Sequence, residues 1–217
     1  LVGLGIVAAL ALIAAAAPVL APYDPNAQDL ALRLARPGTQ HWLGTDAFGR
    51  DILSRLLYGA RVTVAVGVLI AAIVPPLGLA IGCIAGYCGG IVDALLMRTA
   101  DVFLAFPRLI LALALVAALG PGIDHAVLAI ALAAWPPYAR LARAETLAIL
   151  DRDYIAAARL AGASPGRLLL RHIAPLCLPS LLVRASLDMS GVILIAAGLG
   201  FLRLGAAPPT AEWGAMI

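Results

Sequence analysis

Five apolar runs, each long enough to cross the hydrocarbon of a membrane, constrain this chain more than any other feature. They cover roughly residues 1–20, 62–87, 94–119, 126–147 and 179–200. About 20 apolar residues are needed for a helix to cross ~30 Å of hydrocarbon. A helix also satisfies its backbone hydrogen bonds internally, as lipid requires. The runs therefore predict an all-α membrane protein, a polytopic bundle with five transmembrane helices.

The composition excludes a soluble domain and argues against nucleic-acid binding. Hydrophobic residues make up 63% of the 217 residues, charged residues only 12%, and the mean hydropathy is +1.02. All 15 basic residues are arginines, and they are spread between the apolar runs. A nucleic-acid site would need a basic stripe. We expect contacts with the lipid membrane and with a protein partner instead.

Residues 1–61 are predicted to form an N-terminal unit, a span followed by an extracytoplasmic segment. The first run has small residues near Ala17, as a signal peptide does, but no basic segment precedes it, so a span is favoured. An amphipathic helix should follow, capped by Thr45 or Asp46, with Phe48 and Ile52 on its apolar face. Its remaining surface is expected to carry Arg50, Asp51, Ser54 and Arg55.

Residues 151–179 separate the last two runs and predict two short helices around a glycine corner. Asp151 or Asp153 can cap the first helix, and Gly162 is placed to end it in the left-handed conformation. Ser164 and Pro165 have the residue types of an N-cap and a first helical position. Two further prolines, Pro175 and Pro179, are expected to mark the start of the next apolar helix.

Glycines recur every four residues in the second run, at Gly78, Gly82, Gly86 and Gly90. Small residues let helices approach closely in lipid, where apolar matching gives them little reason to associate. The stripe predicts packing against another helix of this chain or of a partner. Lining a solute pathway is the alternative.

Arg108, Arg184 and Asp188 are charged residues within predicted spans. A charge near the bilayer centre costs about 2.5–3.5 kcal/mol, so Arg108 should face protein, water or the interface. Arg184 and Asp188 are spaced i,i+4 and share a helix face. They can neutralise each other as a structural pair, or Asp188 can attract a cation in a solute pathway.

No catalytic or metal-binding pattern is present. The sequence lacks an HExxH motif, a Ser/His pair and paired carboxylates. Histidines occur singly at His41, His125 and His172, without metal-ligand spacing. Cysteines form neither a CxxC pair nor a disulfide framework. Two of them, Cys83 and Cys88, are expected to pack as small apolar residues.

The glycine corner resembles the cytoplasmic coupling loop of ABC-importer permeases. YIAAARLAGAS followed by RHIAPLCLPSLL fits the Glu-Ala-Ala, Gly, hydrophobic-Pro pattern of that loop. Ala156 stands where many members have Glu, so an ion pair from that position to the ATPase is absent. The residues expected to form the loop, within residues 151–175, are Asp153, Tyr154, Ala157, Ala158, Arg159, Gly162, Ser164 and Pro165.

Two further segments carry the same resemblance. Residues 44–55 resemble the GTDxxGRDxxSR signature of the C-type permeases in peptide and nickel ABC importers. GLGFLRLGAAPPTAEWGAMI is similar to the segment before the family's last span, so a sixth span is expected beyond Ile217. The matching signature residues are Gly44, Thr45, Asp46, Gly49, Arg50, Asp51, Ser54 and Arg55.

The resemblance implies a multi-pass permease of the bacterial inner membrane, with the fold of a type I ABC importer. Residues 62–217 are then the core domain, which forms half of a translocation pathway. A second, similar permease in a heterodimer, two cytoplasmic ATPases and an extracytoplasmic solute-binding protein are the implied partners. The chain holds no ATP-binding motif, so ATP and Mg belong to the ATPases, and this subunit is not an enzyme.

The substrate stays open between nickel and di- or oligopeptides. PYDPNAQDL, QHWLGTD and PTAEWGAMI lean towards the nickel members, and Asp188 suits a cation. Two other classes are the alternatives: an ion-coupled secondary transporter, which needs inverted repeats, and a membrane-embedded enzyme. Copurification with an ATP-hydrolysing subunit would separate both from an ABC importer.

Overall fold

The computed structural model describes residues 2–217, and its regular structure is helical throughout that range, as predicted. Leu1, the first residue of the first predicted span, lies outside the described residues. Short 3-10 turns cover Leu30–Leu32 and Gly214–Met216. The helices are α1 (Val2–Leu20), α2 (Ile52–Cys88), α3 (Gly90–Leu104), α4 (Arg108–Leu119), α5 (Ile123–Leu150), α6 (Asp153–Leu160), α7 (Pro165–Arg167) and α8 (Ala174–Phe201).

Among residues 2–217, two helices, Ile52–Cys88 and Pro165–Phe201, are long and apolar enough to cross a membrane. The number rises to three when α3 and α4, which meet at 93°, are taken as one broken span. The expected single helix over residues 94–119 is therefore wrong. Pro107 explains the break, because proline lacks an N–H and forces the residue before it out of the helical conformation.

The last long helix begins earlier than the prolines suggested. It runs from Pro165 through a π-helical turn, Leu168–Ile173, directly into α8, so Pro175 and Pro179 do not mark its start. A proline ring clashes with the carbonyl four residues before it. For Pro175 that carbonyl belongs to Arg171, which lies in the wider π-helical turn, and the helix continues.

The amphipathic helix leads directly into the second span, as predicted, but it begins at Ile52 and not at residue 45. Residues 44–51 form a tight loop, and the helix that follows is the start of the 37-residue α2. Asp51 accepts a hydrogen bond from the Ser54 N–H at 2.8 Å, so it caps this helix in place of Thr45 or Asp46.

The chain divides into two compact units. The first contains the residues up to Val68 together with Val116–Val127 and Ile193–Ile217. In it, the Trp213 indole N–H donates to the Leu56 carbonyl at 3.0 Å. The indole lies over Gly59, where a Cβ would come within 2.5 Å of the ring.

The second unit contains Leu69–Leu115 and Leu128–Val192. Its core is built on three of the four stripe glycines, which contact α5 as predicted. A Cβ at Gly78, Gly82 or Gly86 would lie 2.3, 2.3 or 2.9 Å from the nearest atom of α5. Gly90 does not belong to this contact, because a Cβ there would meet nothing within 4 Å.

Candidate functional site

The coupling segment, defined as residues 151–175, forms the predicted pair of helices around Gly162. Gly162 has φ +81° and ends α6 in the left-handed region. Ser164 accepts a hydrogen bond from the Arg167 N–H at 3.4 Å and Pro165 is the first residue of α7, as predicted. The expected cap of α6 is wrong: Arg152 holds the N-cap position and makes no side-chain hydrogen bond to the helix.

One side of this segment is anchored and the other is exposed. Ile155 of α6 and Leu168 and Ile173 of the π-helical turn are fully buried, and both short helices contact this turn. Tyr154 and Leu160 are 43% and 90% exposed. The predicted loop residues that lie on the accessible side are Asp153, Tyr154, Ala157, Arg159, Gly162, Ser164 and Pro165, with Ala158 half-buried.

A cavity of about 390 Å³ opens beside the coupling segment. Glu145, Arg152, Tyr154 and Leu176 are among its lining residues. One carboxylate oxygen of Glu145, Oε2, is buried and has no hydrogen-bond partner within the described part of the chain. This site is not evident from the sequence, because its lining residues come from α5, α6, α8 and the turn between α5 and α6.

In the first unit, the tight loop at residues 44–51, called here the signature loop, is held by hydrogen bonds around two aspartates. Asp46 accepts bonds from the backbone N–H of Phe48 at 2.8 Å and of Arg50 at 3.0 Å, and from the Arg50 Nε at 2.7 Å. Burial raises the pKa of Asp46, but these hydrogen bonds and the Arg50 charge outweigh burial, and its pKa lies below the ordinary value.

The second aspartate, Asp51, joins the loop to α2. Its Oδ1 lies 2.9 Å from His41 Nδ1, and its Oδ2 accepts from the Ser54 hydroxyl at 2.8 Å. Asp51, Ser54 and Arg55 are all buried, so the expectation that they lie on the surface is wrong. Arg55 reaches inward and donates to the Pro25 carbonyl at 3.0 Å.

Both signature glycines are required by the backbone. Gly44 and Gly49 have φ of +77° and +73°. A Cβ on Gly49 would lie 1.7 Å from the Asp29 carbonyl oxygen, and one on Gly44 would lie 2.5 Å from that of Ala35. Tyr23, whose ring centroid is 4.7 Å from that of His41, closes the same loop. The signature therefore holds the polar segment in one shape.

The charged residues of the predicted spans meet in the second unit. Arg108 donates two parallel hydrogen bonds to Asp188, at 2.7 and 2.8 Å, and the Tyr138 hydroxyl donates to the same carboxylate at 3.3 Å. The structural pair expected between Arg184 and Asp188 is therefore replaced by one between Arg108 and Asp188. Arg184 lies over the Tyr138 ring instead, 5.9 Å from its centroid.

His125 and Cys83 make contacts within the protein. His125 bonds the Gly120 carbonyl at 3.0 Å, and no group of three metal-ligating side chains occurs in residues 2–217. Cys83 is buried and its Sγ lies 3.4 Å from the Thr146 hydroxyl, which confirms a packing role. Cys88 is exposed, so the same expectation is wrong there.

Comparison with known proteins identifies the family. The family model described as "Binding-protein-dependent transport system inner membrane component" matches residues 78–217, about two thirds of the chain. This chain belongs to that family. A second model, "N-terminal TM domain of oligopeptide transport permease C", matches residues 1–37. The chain is thus a permease subunit of an ABC importer, a class of membrane transport protein.

Relatives of this permease carry different substrate names. The chain is 48% identical to a probable D,D-dipeptide transport system permease of Escherichia coli K12, over 92% of this chain and 67% of the relative. It is 47% identical to the nickel transport system permease of the same organism, over 98% and 76%. It is 44% identical to a di/tripeptide transport system permease of Pseudomonas aeruginosa UCBPP-PA14, over 93% and 68%. All three are transport permeases, not enzymes.

Proposed function

We propose that this permease forms half of the translocation pathway of an ATP-driven importer for dipeptides or nickel, and that the coupling segment transmits motion from an ATPase. The names of its relatives support this choice of substrates. The observation that carries the coupling proposal is the two-sided coupling segment. Ile155 is buried and α6 contacts the π-helical turn that runs into α8, while Tyr154 and Leu160 are exposed and accessible to a partner.

The mechanism follows from this anchoring. An ATPase that holds the exposed side of α6 moves α6 when it closes on ATP. Because α6 contacts the π-helical turn, which runs directly into α8, the motion passes to α8. The nucleotide supplies the difference in binding energy between the two states, since a ligand shifts an equilibrium only by its differential affinity.

The remaining parts of the importer are supplied by partners. A second permease completes the pathway as a heterodimer, two cytoplasmic ATPases bind ATP and Mg, and an extracytoplasmic protein delivers the solute. Hydrolysis occurs on the ATPases. This subunit lies in the bacterial inner membrane and crosses it several times.

Replacing Gly162 by valine tests the coupling. Its φ of +81° is strained for any residue with a Cβ, and a left-handed β-branched residue costs at least about 1–2 kcal/mol. We expect Gly162→Val to insert and assemble normally, but to reduce solute-stimulated ATP hydrolysis and uptake by roughly tenfold or more as α6 and α7 are re-aimed.

A matched control lies four residues further on. Gly166 also has open space around its Cβ position, but it is without a positive φ. Gly166→Val should keep most of the uptake. If Gly162→Val imports solute at the normal rate, the coupling proposal is wrong.

The substrate is tested by uptake in cells that lack this gene. Labelled nickel and a labelled dipeptide are supplied separately, with and without the restored gene. Restored uptake of one solute assigns the substrate between the two. Failure to restore either would contradict the proposed substrates while leaving the membership in the family intact.

A further inference from the structure

Three charged side chains and one tyrosine form a cluster within the second unit, called here the Arg184 cluster. Its members are Arg108, Tyr138, Arg184 and Asp188. The cluster lies deep in the apolar part of α8. Arg184 follows Ala174, the first residue of α8, by ten residues. At 1.5 Å per residue the two are separated by about 15 Å along the helix. This is about half the thickness of the hydrocarbon, which is ~30 Å.

The carboxylate of this cluster is already fully engaged. Its Oδ1 accepts from Arg108 Nη1 at 2.7 Å. Its Oδ2 accepts from Arg108 Nη2 at 2.8 Å and from the Tyr138 hydroxyl at 3.3 Å. A bidentate pair of this kind is among the stronger hydrogen-bonded contacts in proteins. Asp188 therefore neutralises Arg108 and offers little to a passing cation.

Arg184 is the member of the cluster whose charge is not neutralised by an ion pair. It contacts the Tyr138 ring at 5.9 Å, and it forms no ion pair among residues 2–217. Two arginines and one aspartate give the cluster a net charge of +1. An unneutralised arginine at this depth is costly against lipid, by about 2.5–3.5 kcal/mol. Its guanidinium therefore requires water or an anionic group on its exposed side.

The shape of the cluster fixes the side from which a solute can approach. The cavity lined by Arg108, Tyr138 and Asp188 has a volume of about 10 Å³, which is room for one water molecule. A solute cannot enter it. Arg184 is exposed, so it is the member of the cluster that a solute meets.

We propose that Arg184 binds a carboxylate group of the transported solute. The preferred solute class is then a carboxylate-bearing molecule such as a dipeptide with a free C-terminus, and not a bare divalent cation. A guanidinium matches a carboxylate with two parallel hydrogen bonds, whereas it repels a divalent cation. This inference rests on the proposed function, because it requires that solute pass the second unit.

The test uses the complete importer reconstituted in vesicles with its solute-binding protein and ATP. Uptake of a dipeptide is measured for the wild type, Arg184→Lys, Arg184→Gln and Arg184→Glu. We expect KM to rise in that order, by about tenfold for Arg184→Gln, since one charge-assisted contact is lost. The glutamate variant should be the worst, because it repels the carboxylate. The same binding protein serves all variants, so differences among them report on the permease.

Arg98→Gln is the matched control. Arg98 is also exposed in the second unit but lies outside the Arg184 cluster, and its replacement should leave KM unchanged. Unchanged dipeptide KM in Arg184→Gln would overturn the inference while the importer still works. The inference would also be overturned if the wild type imported nickel as the free aqua ion but did not import the dipeptide. Loss of the second permease from Arg184→Gln complexes would also overturn it, because the partner would then supply the anion.

The control for the proposed function is the wild type itself. If wild-type vesicles import neither solute when ATP is supplied, the proposed substrates fail, and this inference fails with them. If the wild type imports dipeptide and only the Arg184 variants differ from expectation, the proposed function stands and the carboxylate site is refuted.

Discussion

Individual glycines decide how closely the helices of the second unit approach. At Gly82 a Cβ would lie 2.3 Å from the Ala139 carbonyl oxygen and 2.6 Å from the Ala142 Cβ. Both neighbours are buried, and one of them is backbone, so neither can move away cheaply. The approach of α2 to α5 therefore depends on the absence of a side chain at this position.

We expect Gly82→Ala to destabilise the permease by about 1–3 kcal/mol, the usual cost of overpacking. Thermal unfolding of the purified complex measures this destabilisation as a lower Tm. Gly191→Ala is the matched control, since a Cβ there meets nothing within 4 Å in another helix. An equal Tm for Gly82→Ala and the wild type would show that the two helices separate without cost.

Glu212 is a buried carboxylate near the end of the first unit. Its Oε2 accepts a hydrogen bond from the Ala206 N–H at 3.1 Å, and Gly200 and Gly205 leave room for the carboxylate. Burial raises the pKa of Glu212 above the ordinary value, and the Ala206 hydrogen bond offsets only part of that rise.

A raised pKa makes the folded state hold the proton more tightly than the unfolded state does. The stability from this group is thus complete below its ordinary pKa of 4.5 and is lost as pH rises through the folded pKa. Glu212→Gln keeps the acceptor for Ala206 and removes the charge. We expect it to have a higher Tm than the wild type at neutral pH and a flatter dependence of Tm on pH above about 4.5. A variant with the wild-type slope would contradict this.

At the scale of helices, two ion pairs join α3 to α5. Arg143 donates to both carboxylate oxygens of Asp93, and Arg140 pairs with Asp101. All four side chains are partly or largely exposed, so each pair contributes modestly, about 0.2–1 kcal/mol. Their main effect is to fix the register of α3 against α5.

Exchanging the two charges tests this contact. Asp93→Arg and Arg143→Asp should each lower the stability, because each places like charges together. The double exchange should recover most of the loss, measured as Tm of the complex. Recovery will be incomplete, because Asp93 lies in the first turn of α3, where a negative charge also interacts well with the helix dipole. If the double variant is no better than the worse single variant, the pair does not hold the helices together.

At the scale of the whole molecule, the proposed coupling requires the Gly162 corner to face the cytoplasm. Arginines are spread almost evenly between the predicted sides of the membrane, so charge alone gives no firm orientation. The direction comes from the family.

A cysteine at Ala161, which is exposed beside the corner, tests the orientation. The parent carries Cys88→Ser, because Cys88 is exposed whereas Cys83 and Cys177 are buried. We expect a membrane-impermeant thiol reagent to label Ala161→Cys in inside-out vesicles and not in intact cells. The parent without the new cysteine is the control. Labelling of intact cells would reverse the orientation and exclude the coupling proposal.

Local sequence determined much of this protein. Apolar runs fixed an all-α membrane fold, and Gly162, Ser164 and Pro165 fixed the corner of the coupling segment. These features follow from hydrophobicity and from backbone preferences that act over a few residues. The failure at residues 94–119 is of the same local kind, because Pro107 signalled a break that the length of the apolar run concealed.

Only the tertiary structure decided which polar groups meet. Asp188 has Arg184 four residues away on its own helix, yet it pairs with Arg108, eighty residues earlier. Asp51 and Ser54 read as surface residues of an amphipathic helix, but the preceding loop folds over them. Spacing along one helix predicts neither outcome. The partner of a buried charge depends on which helix packs against it and on how much water this packing excludes.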